Sequence, residues 1–586
     1  MDTTFYKSDS LISKKFREFF FPSLLGALAG QLGIVIDSLM VGNFINADAM
    51  TGVSVCMPLE QILGSVSLML SIGAGGMIAV AAGERKVEEA NRVFSAVLIL
   101  NALVGTIFLM LLLPFLPKVA QFLAGQEKIT PLTYQYLQIM VWRTPFMMLL
   151  FAVGVLIRSD GMAKLASQGI LLSQVVNIGL DLLLIGAMGM GLYGAAVATV
   201  ASDISALGYI ALRYRKSEKR TLRFVWASDG LKDFCRLSAE LAKAGIPAAA
   251  ATGLVSAKVW CIYRILEQAG GADAMQVYAV CMSILTFLSM VAEGSQEAMI
   301  PILGVLYGEK DYQGVRMLLR YVMKFSFTLA LLFILLLLLF PQAALGLFNL
   351  APEVIASGTT GFRLFCISLI GVLITFMMMY YYTTIGETTA ATLLSVVEGF
   401  VVVIPAAWIL GKVMGTLGVW ISFVLGEIAG LAVLLLYMKT MHAKDAERYP
   451  DFYLIPTTRQ ELLFDVSVKA GQESAAALSR GAIEVLRENG VAEDIAAKAG
   501  IALEEITVNL TERESEKVRD LDVRIIRNGS HVVISLRDNG LPFNPMEYSP
   551  QEQEEYQTDG IMLFKAVARD IQYSRILSLN QTIIEI

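Results

Sequence analysis

"ADAMTGVSVCM", residues 47–57, decides the fold once it is set beside "ADAMQVYAVCM", residues 272–282. The second is a near copy of the first. Another pair lies downstream, "AGERKVEEANR" (82–92) and "YGEKDYQGVR" (307–316). The offset is constant: 273 − 48 = 225 for the aspartates and 308 − 83 = 225 for the glycines. Identity held in register from residue 47 to 92 marks an internal duplication. In a membrane protein, two copies of like orientation form a parallel repeat about an axis along the membrane normal.

The composition places the chain in a membrane. Of 586 residues, 56% are hydrophobic and only 17% charged, with a mean hydropathy of +0.62. A span needs about 20 mostly apolar residues. About twelve fit: 19–45, 51–81, 90–117, 132–157, 165–187, 191–213, 241–267, 274–306, 314–343, 357–384, 390–411 and 415–438. The expected fold class is therefore an α-helical polytopic membrane protein, six helices per half (19–213 and 241–440). A polar lead-in (1–18) precedes the first half, and a linker (214–240) joins the two. Basic residues gather in alternate loops: Lys14, Lys15 and Arg17; Arg85 and Lys86; Arg158 and Lys164; "RYRKSEKRTLRF"; Lys310 and Arg316. This bias predicts both termini in the cytoplasm.

The net charge of −6 with no basic tract gives no nucleic-acid footprint. The five cysteines have no paired spacing and read as packing residues.

Polar residues inside apolar spans are expensive, roughly 2.5–3.5 kcal/mol for a charge on insertion scales. In "VVNIGLDLLLIG" (175–186), Asn177 and Asp181 share one helix face at i, i+4. Asp37 lies in the first span and Thr199 in the sixth. Carboxylates, an amide and a hydroxyl are hard oxygen ligands suited to a small cation or a proton; interhelical hydrogen bonding is the plainer use. The second half carries Lys258 and Arg264 in span 7, Glu293 and Glu297 in span 8, Arg363 in span 10 and Glu398 in span 11. These either neutralise one another or face a substrate cavity, for which Lys258, Arg264 and Glu398 are the candidates. "MMMYYY" (377–382) covers every face of a helix and reads mostly as packing.

"DSLMVGNFINADAMTGVSV" (37–55), "AAGERKVEEANRVFSAVL" (81–98) and "IRSDGMAKLASQGILLSQVVNIGLDLLLIGAMGMGLYGAAVAT" (157–199) resemble the multidrug and toxic-compound extrusion (MATE) family. The resemblance covers about residues 15–440. It implies a twelve-span antiporter in the plasma membrane that exports small amphiphilic compounds against Na⁺ or H⁺. It also implies a cation site on Asp37, Asn177, Asp181 and Thr199. The chain departs from the family in two places. The start of the second half, "GIPAAAATGLVSAKVWCIYRIL" (245–266), is basic where some members have an acid. Ile300-Pro301-Ile302 stands where many have Gln-Pro-Ile.

Past Thr440 charges become frequent, and residues 457–586 suffice for one soluble domain. "LLFDVSVKA" (462–470) alternates like a strand. Two amphipathic helices follow (473–489, 493–513), then strands "DVRIIRNG" and "HVVISLRDNG". Glu505 and Asn509 share a helix face. These segments resemble the GHKL ATPase fold in its anti-sigma-factor serine-kinase branch. "LEEITVN" (503–509) would supply Glu505 as the acid and Asn509 as the Mg²⁺ ligand for ATP. "DNGLPFNP" (538–545) would supply Asp538 and Gly540 at the adenine end. "GIML" (560–563) keeps Gly560 but puts Met562 where relatives have a second glycine. The tail is expected to bind nucleotide or a cytoplasmic regulatory protein and to tune transport. It carries no P-loop pattern. The competing readings are a lipid-precursor flippase and a transporter-like sensor whose tail sequesters or phosphorylates a regulator.

Overall fold

The computed structural model describes all residues except 1–5, 226–229, 349, 457–460, 513–518, 530 and 548–559. The chain divides into two compact units. One is Phe16–Ile455; the other is Pro456–Ile586 together with the N-terminal residues up to Lys15.

The first unit is helical. In chain order its helices are α1 (Ser10–Phe44), α2 (Ala47–Ser54), α3 (Met57–Gly83), α4 (Val87–Leu112), α5 (Leu116–Ala124), α6 (Thr130–Ser159), α7 (Ala163–Asp181) and α8 (Gly191–Arg215). The second half holds α9 (Leu231–Gly308), α10 (Tyr312–Leu339), α11 (Pro341–Gly346), α12 (Pro352–Thr384), α13 (Thr388–Val396), α14 (Val403–Met414) and α15 (Thr416–Lys444). Eleven helical stretches among the described residues are long and apolar enough to cross a membrane. The 77-residue one, Lys232–Gly308, would be about 115 Å long if straight, far beyond a hydrocarbon core of about 30 Å. It breaks at Gly271, whose φ of 63° and ψ of −153° are non-helical. It therefore supplies two spans, making twelve among the described residues.

The duplication seen in two motifs extends through the whole half. Helix starts at 87, 163 and 191 recur at 312, 388 and 416, and helix ends at 83 and 159 recur at 308 and 384, each 225 residues on. Even the turn strain is repeated. Arg85 and Lys310, again 225 apart, both sit in the left-handed region (φ 60° and 57°). A non-glycine residue there costs about 1–2 kcal/mol. At Gly161 and Gly386, another such pair, glycine carries the positive φ (86° and 88°) at little cost.

The two halves meet along α3 and the second segment of α9. A Cβ on Gly83 would lie 2.3 Å from the Val305 carbonyl oxygen, and one on Gly308 would lie 2.2 Å from that of Val80. Since 80 + 225 = 305 and 83 + 225 = 308, these are symmetry mates on the pseudo-twofold. Glycine is required because backbone meets backbone.

The second unit is α+β. Its elements are β1 (Glu461–Lys469), α16 (Gln472–Glu488), α17 (Glu493–Glu512), β2 (Asp520–Asn528), β3 (His531–Asp538), α18 (Gly560–Val567), β4 (Asp570–Ile576) and β5 (Leu579–Glu585). The sheet is antiparallel in the order β1-β2-β3-β5-β4. Leu521, Val523, Ile525, Ile534 and Ile584 from its inner face pack on Leu478, Leu503, Ile506 and Phe564 from the helices. The alternation that predicted the strands is this one-sided burial.

Candidate functional sites

On α7, Ser173, Asn177 and Asp181 are buried at i, i+4, i+8, while Val175, and Leu182 and Leu183 just past the helix end, are exposed. Asp181 is 0% exposed, and neither of its carboxylate oxygens has a hydrogen-bond donor among the described residues. Its carboxyl faces that of Asp37 on α1, whose Oδ1 is likewise buried without a donor. Beside them Asn177 Nδ2 donates to Thr199 Oγ1 at 3.5 Å, and Thr199 Oγ1 donates to the Ala195 carbonyl at 3.0 Å. The four residues selected from sequence thus converge from α1, α7 and α8. Two facing carboxyls without donors repel unless a proton or cation lies between them. The donor set fits a small hard cation: two carboxylates, an amide oxygen and a hydroxyl.

A second network adjoins this pair and was not anticipated. Arg143 on α6 donates through Nε to Asp203 Oδ2 (2.7 Å) and through Nη1 to Glu60 Oε2 (3.0 Å). Both Arg143 and Glu60 are close enough to Asp37 to act on it electrostatically. Three acids, Glu60, Asp203 and Asp37, therefore share Arg143. Glu60 and Arg143 border a small apolar cleft, with a cavity volume of about 30 Å³, walled by Leu59, Leu63, Met140 and Met147. Glu60 and Arg143 are each the sole charge of their spans (51–81 and 132–157), and sequence inspection passed them over; that one uncompensated charge per span was the signal available.

In the second half, Lys258 Nζ lies 3.1 Å from Glu398 Oε1, both side chains nearly buried. Glu427 on α15, 6% exposed, adjoins Glu398 and takes a 3.5 Å hydrogen bond from Thr375 Oγ1. One lysine thus serves two glutamates. The repeat explains the placement: 398 − 225 = 173 and 427 − 225 = 202, and Ser173 and Ser202 hydrogen-bond at 3.3 Å in the first half. The same helix contact carries hydroxyls in one copy and carboxyls in the other. Arg264 does not join this cluster. It is exposed, pairs with Glu267 one turn along its own helix (3.1 Å) and lies over Trp260. Arg363 is exposed as well. Glu297 pairs with Arg158 of the first half at 3.1 Å. Met377–Tyr382 are all buried, and the Tyr381 and Tyr382 hydroxyls donate to the Tyr453 and Phe452 carbonyls.

Replacing Lys258 by Met leaves two glutamates without their ammonium. Removing one partner of a buried pair costs about 3–5 kcal/mol. Thermal unfolding in detergent should show a large drop for Lys258→Met and a much smaller change for Glu427→Gln.

In the second unit, Asp538 Oδ1 accepts from the Gly540 N–H (2.7 Å) and from Asn580 Nδ2 (3.0 Å). Burial pushes the Asp538 carboxyl up from its ordinary pKa, opposed by these donors and by Arg519 and Arg575. Gly540 packs on Arg519, which a Cβ would meet at 2.8 Å. Gly560 starts α18 against Glu505: a Cβ there would lie 1.9 Å from Glu505 Oε2. Glu505 and Gly560 are therefore brought together by packing of α17 on α18. Asn509 lies one turn beyond Glu505 on α17. Met562 is half exposed, outside the domain core. The turn before Gly560 lies outside the described residues.

Residues 22–183 and 261–409 match the MatE family, and residues 468–586 match the histidine kinase-like ATPase domain. The chain belongs to the MatE family. It is 23% identical over 436 residues to the multidrug export protein MepA of Staphylococcus haemolyticus, covering 74% of this chain and 95% of that one. It is 24% identical over 430 residues to the probable multidrug resistance protein YoeA of Bacillus subtilis, covering 71% and 91%. Among solved structures, a mutant of the Vibrio cholerae MATE transporter VcmN superposes with a TM-score of 0.67 at 19% identity over 76% of this chain and 99% of that one. A MOP superfamily transporter from Pyrococcus furiosus gives 0.66 at 21% over 74% and 97%. These likenesses establish the fold of a multi-pass membrane transporter carrying a GHKL-type domain.

Proposed function

We propose that the chain is a cation-coupled antiporter of the plasma membrane, exporting small amphiphilic compounds by alternating access. The observation that carries this is the Asp37–Asp181 pair, two facing carboxyls with donorless buried oxygens. Na⁺ or H⁺ taken there would neutralise the pair, and its release would restore the repulsion. The multidrug role of the MepA and YoeA relatives supports amphiphilic cargo. The basic loops and the grouping of residues up to Lys15 with 456–586 support a cytoplasmic N-terminus and ATPase-like domain. Efflux of a fluorescent organic cation from cells tests the reading: wild type exports, and Asp37→Asn at matched expression does not. Full export by the variant would sink the site.

The ATPase-like domain is proposed to bind ATP with Mg²⁺ and to regulate transport. Asn509 would hold the metal, Asp538 the adenine amino group, and the α18 N-terminus at Gly560 a phosphate. Glu505 would act as a general base. In the full-length protein a fluorescent ATP analogue should bind, and both Asn509→Ala and Asp538→Asn should weaken it at least about tenfold, the loss of roughly one charge-assisted hydrogen bond. Unchanged binding in both would remove the nucleotide assignment. The domain would then be left as a module that sequesters a regulatory protein.

A further inference from the structure

The N-terminal residues form part of the ATPase-like unit and not of the transporter unit. β1 is an edge strand, paired only with β2. Its outer edge is met by the chain start. Ser467 N donates to the Tyr6 carbonyl (3.2 Å), and Ser8 N donates to Ser467 Oγ (3.0 Å). Lys7 Nζ reaches Asp465 at 2.9 Å, with side-chain exposures of only 2% and 6%. The first turns of α1 then bind β2. Ser10 Oγ donates to Asp520 Oδ1 (3.1 Å), and Lys14 pairs with the same carboxylate. An edge strand covered this way is the recognition mode of strand addition, with side chains setting the register.

We propose that residues 6–15 are a strap whose docking on β1 and β2 couples the ATPase-like domain to the transporter's first helix. Asp520 sits where this matters. Its backbone N–H is held by Asn539 Oδ1 at 3.2 Å, and Asn539 lies between Asp538 and Gly540. Arg519, next to Asp520, packs on Gly540 and acts on Asp538. Any shift of the 538–540 turn on adenine binding is thus passed to the carboxylate that Ser10 and Lys14 grip. Ser10 and Lys14 begin the helix that carries Asp37. A docked strap restrains that helix at one end, and an undocked strap frees it. The nucleotide link rests on the reading above; the docking does not.

The experiment uses full-length protein in proteoliposomes. Three variants break the dock: Asp520→Ala, Lys14→Glu, and Lys14→Glu with Ser10→Ala. Hydrogen exchange is read at residues 6–15, alongside gradient-driven transport and binding of the ATP analogue. Wild type should protect this segment. The variants should raise its exchange at least about tenfold, the loss of one to two hydrogen bonds' worth of local stability. Transport should then lose its response to ATP while analogue binding persists. Restored protection in the charge-swapped pair Lys14→Glu with Asp520→Lys separates docking from misfolding. Unprotected residues 6–15 in wild type would overturn the strap. Undocked variants that keep the wild-type ATP response would overturn the coupling. Absence of analogue binding in wild type, with protection and rescue intact, would refute the nucleotide link alone.

Discussion

Asp181→Asn should abolish gradient-driven export while making the protein more stable. The two effects have opposite signs because they share a cause. The wild-type carboxyl is fully buried, faces Asp37, and has no donor for either oxygen among the described residues. An amide in its place can donate to Asp37 and carries no charge, so the folded state gains about 1–3 kcal/mol. At the proposed site the coupling ion would lose one of its two carboxylates. Coupling free energies between sites run to about 3 kcal/mol, or roughly 150-fold, so a loss of about 100-fold in ion-driven transport is expected. Thermal unfolding reads the stability, and transport in proteoliposomes under imposed Na⁺ or pH gradients reads the coupling. A bound ion at one hundred times its Kd stabilises a native protein by about 2.7 kcal/mol. Wild type should therefore melt higher in the coupling ion and the variant should not respond. A variant with full ion-driven export and an undiminished response to the ion would place the coupling elsewhere.

The parts legible in the sequence were those governed by local rules. Span positions follow from apolar length, and the strands of the ATPase-like domain follow from period-two burial at residues such as Phe464 and Val466. The two halves were legible from an offset of 225 between short motifs, which recurs in helix boundaries and in the left-handed residues Arg85 and Lys310. The cost of a membrane acid singled out Asp37 and Asp181. The same cost argument applied to Glu60, Asp203 and Glu427 would have found the remaining acids. It was not applied because none of them has a second acid or amide one turn away on its own helix face, as Asp181 has in Asn177. Partners were the less legible part. Arg143 joins residues 83 positions back and 60 ahead, and Arg158 joins Glu297 across the two halves. Lys7 meets Asp465 at a separation of 458 residues, which no window of sequence spans. Arg264 was a candidate for the same cavity as Lys258 and Glu398 from its span alone, yet its helix face points it to Glu267.

Enlarging Gly83 or Gly308 should stop transport without preventing membrane insertion. Along the seam between α3 and α9 each glycine touches a carbonyl of the other half, so a Cβ would stand 2.2–2.3 Å from backbone oxygen. A backbone cannot swing aside as a side chain can. Relief requires the two helices to separate, at a cost of about 1–3 kcal/mol for an overpacked contact. The glycines precede the basic loops at Arg85–Lys86 and Lys310, so the closed seam belongs to one face of the membrane. The proposed alternating access would need this seam both closed and open. A penalty of about 2 kcal/mol on the closed form lowers its share about thirtyfold, and turnover should fall at least tenfold. Gly83→Val and Gly308→Val are expected to act alike, because the repeat makes their contacts equivalent. Gly208→Ala, whose added Cβ would meet no atom within 4 Å, is the control that should transport normally. The open seam is read directly by thiol labelling of Ala79→Cys, which is 0% exposed in this structure. Labelling should rise in the glycine variants as transport falls. Loss of transport with Ala79→Cys still shielded would mean that the halves had not parted, and that these glycines serve assembly of the fold and not its alternation.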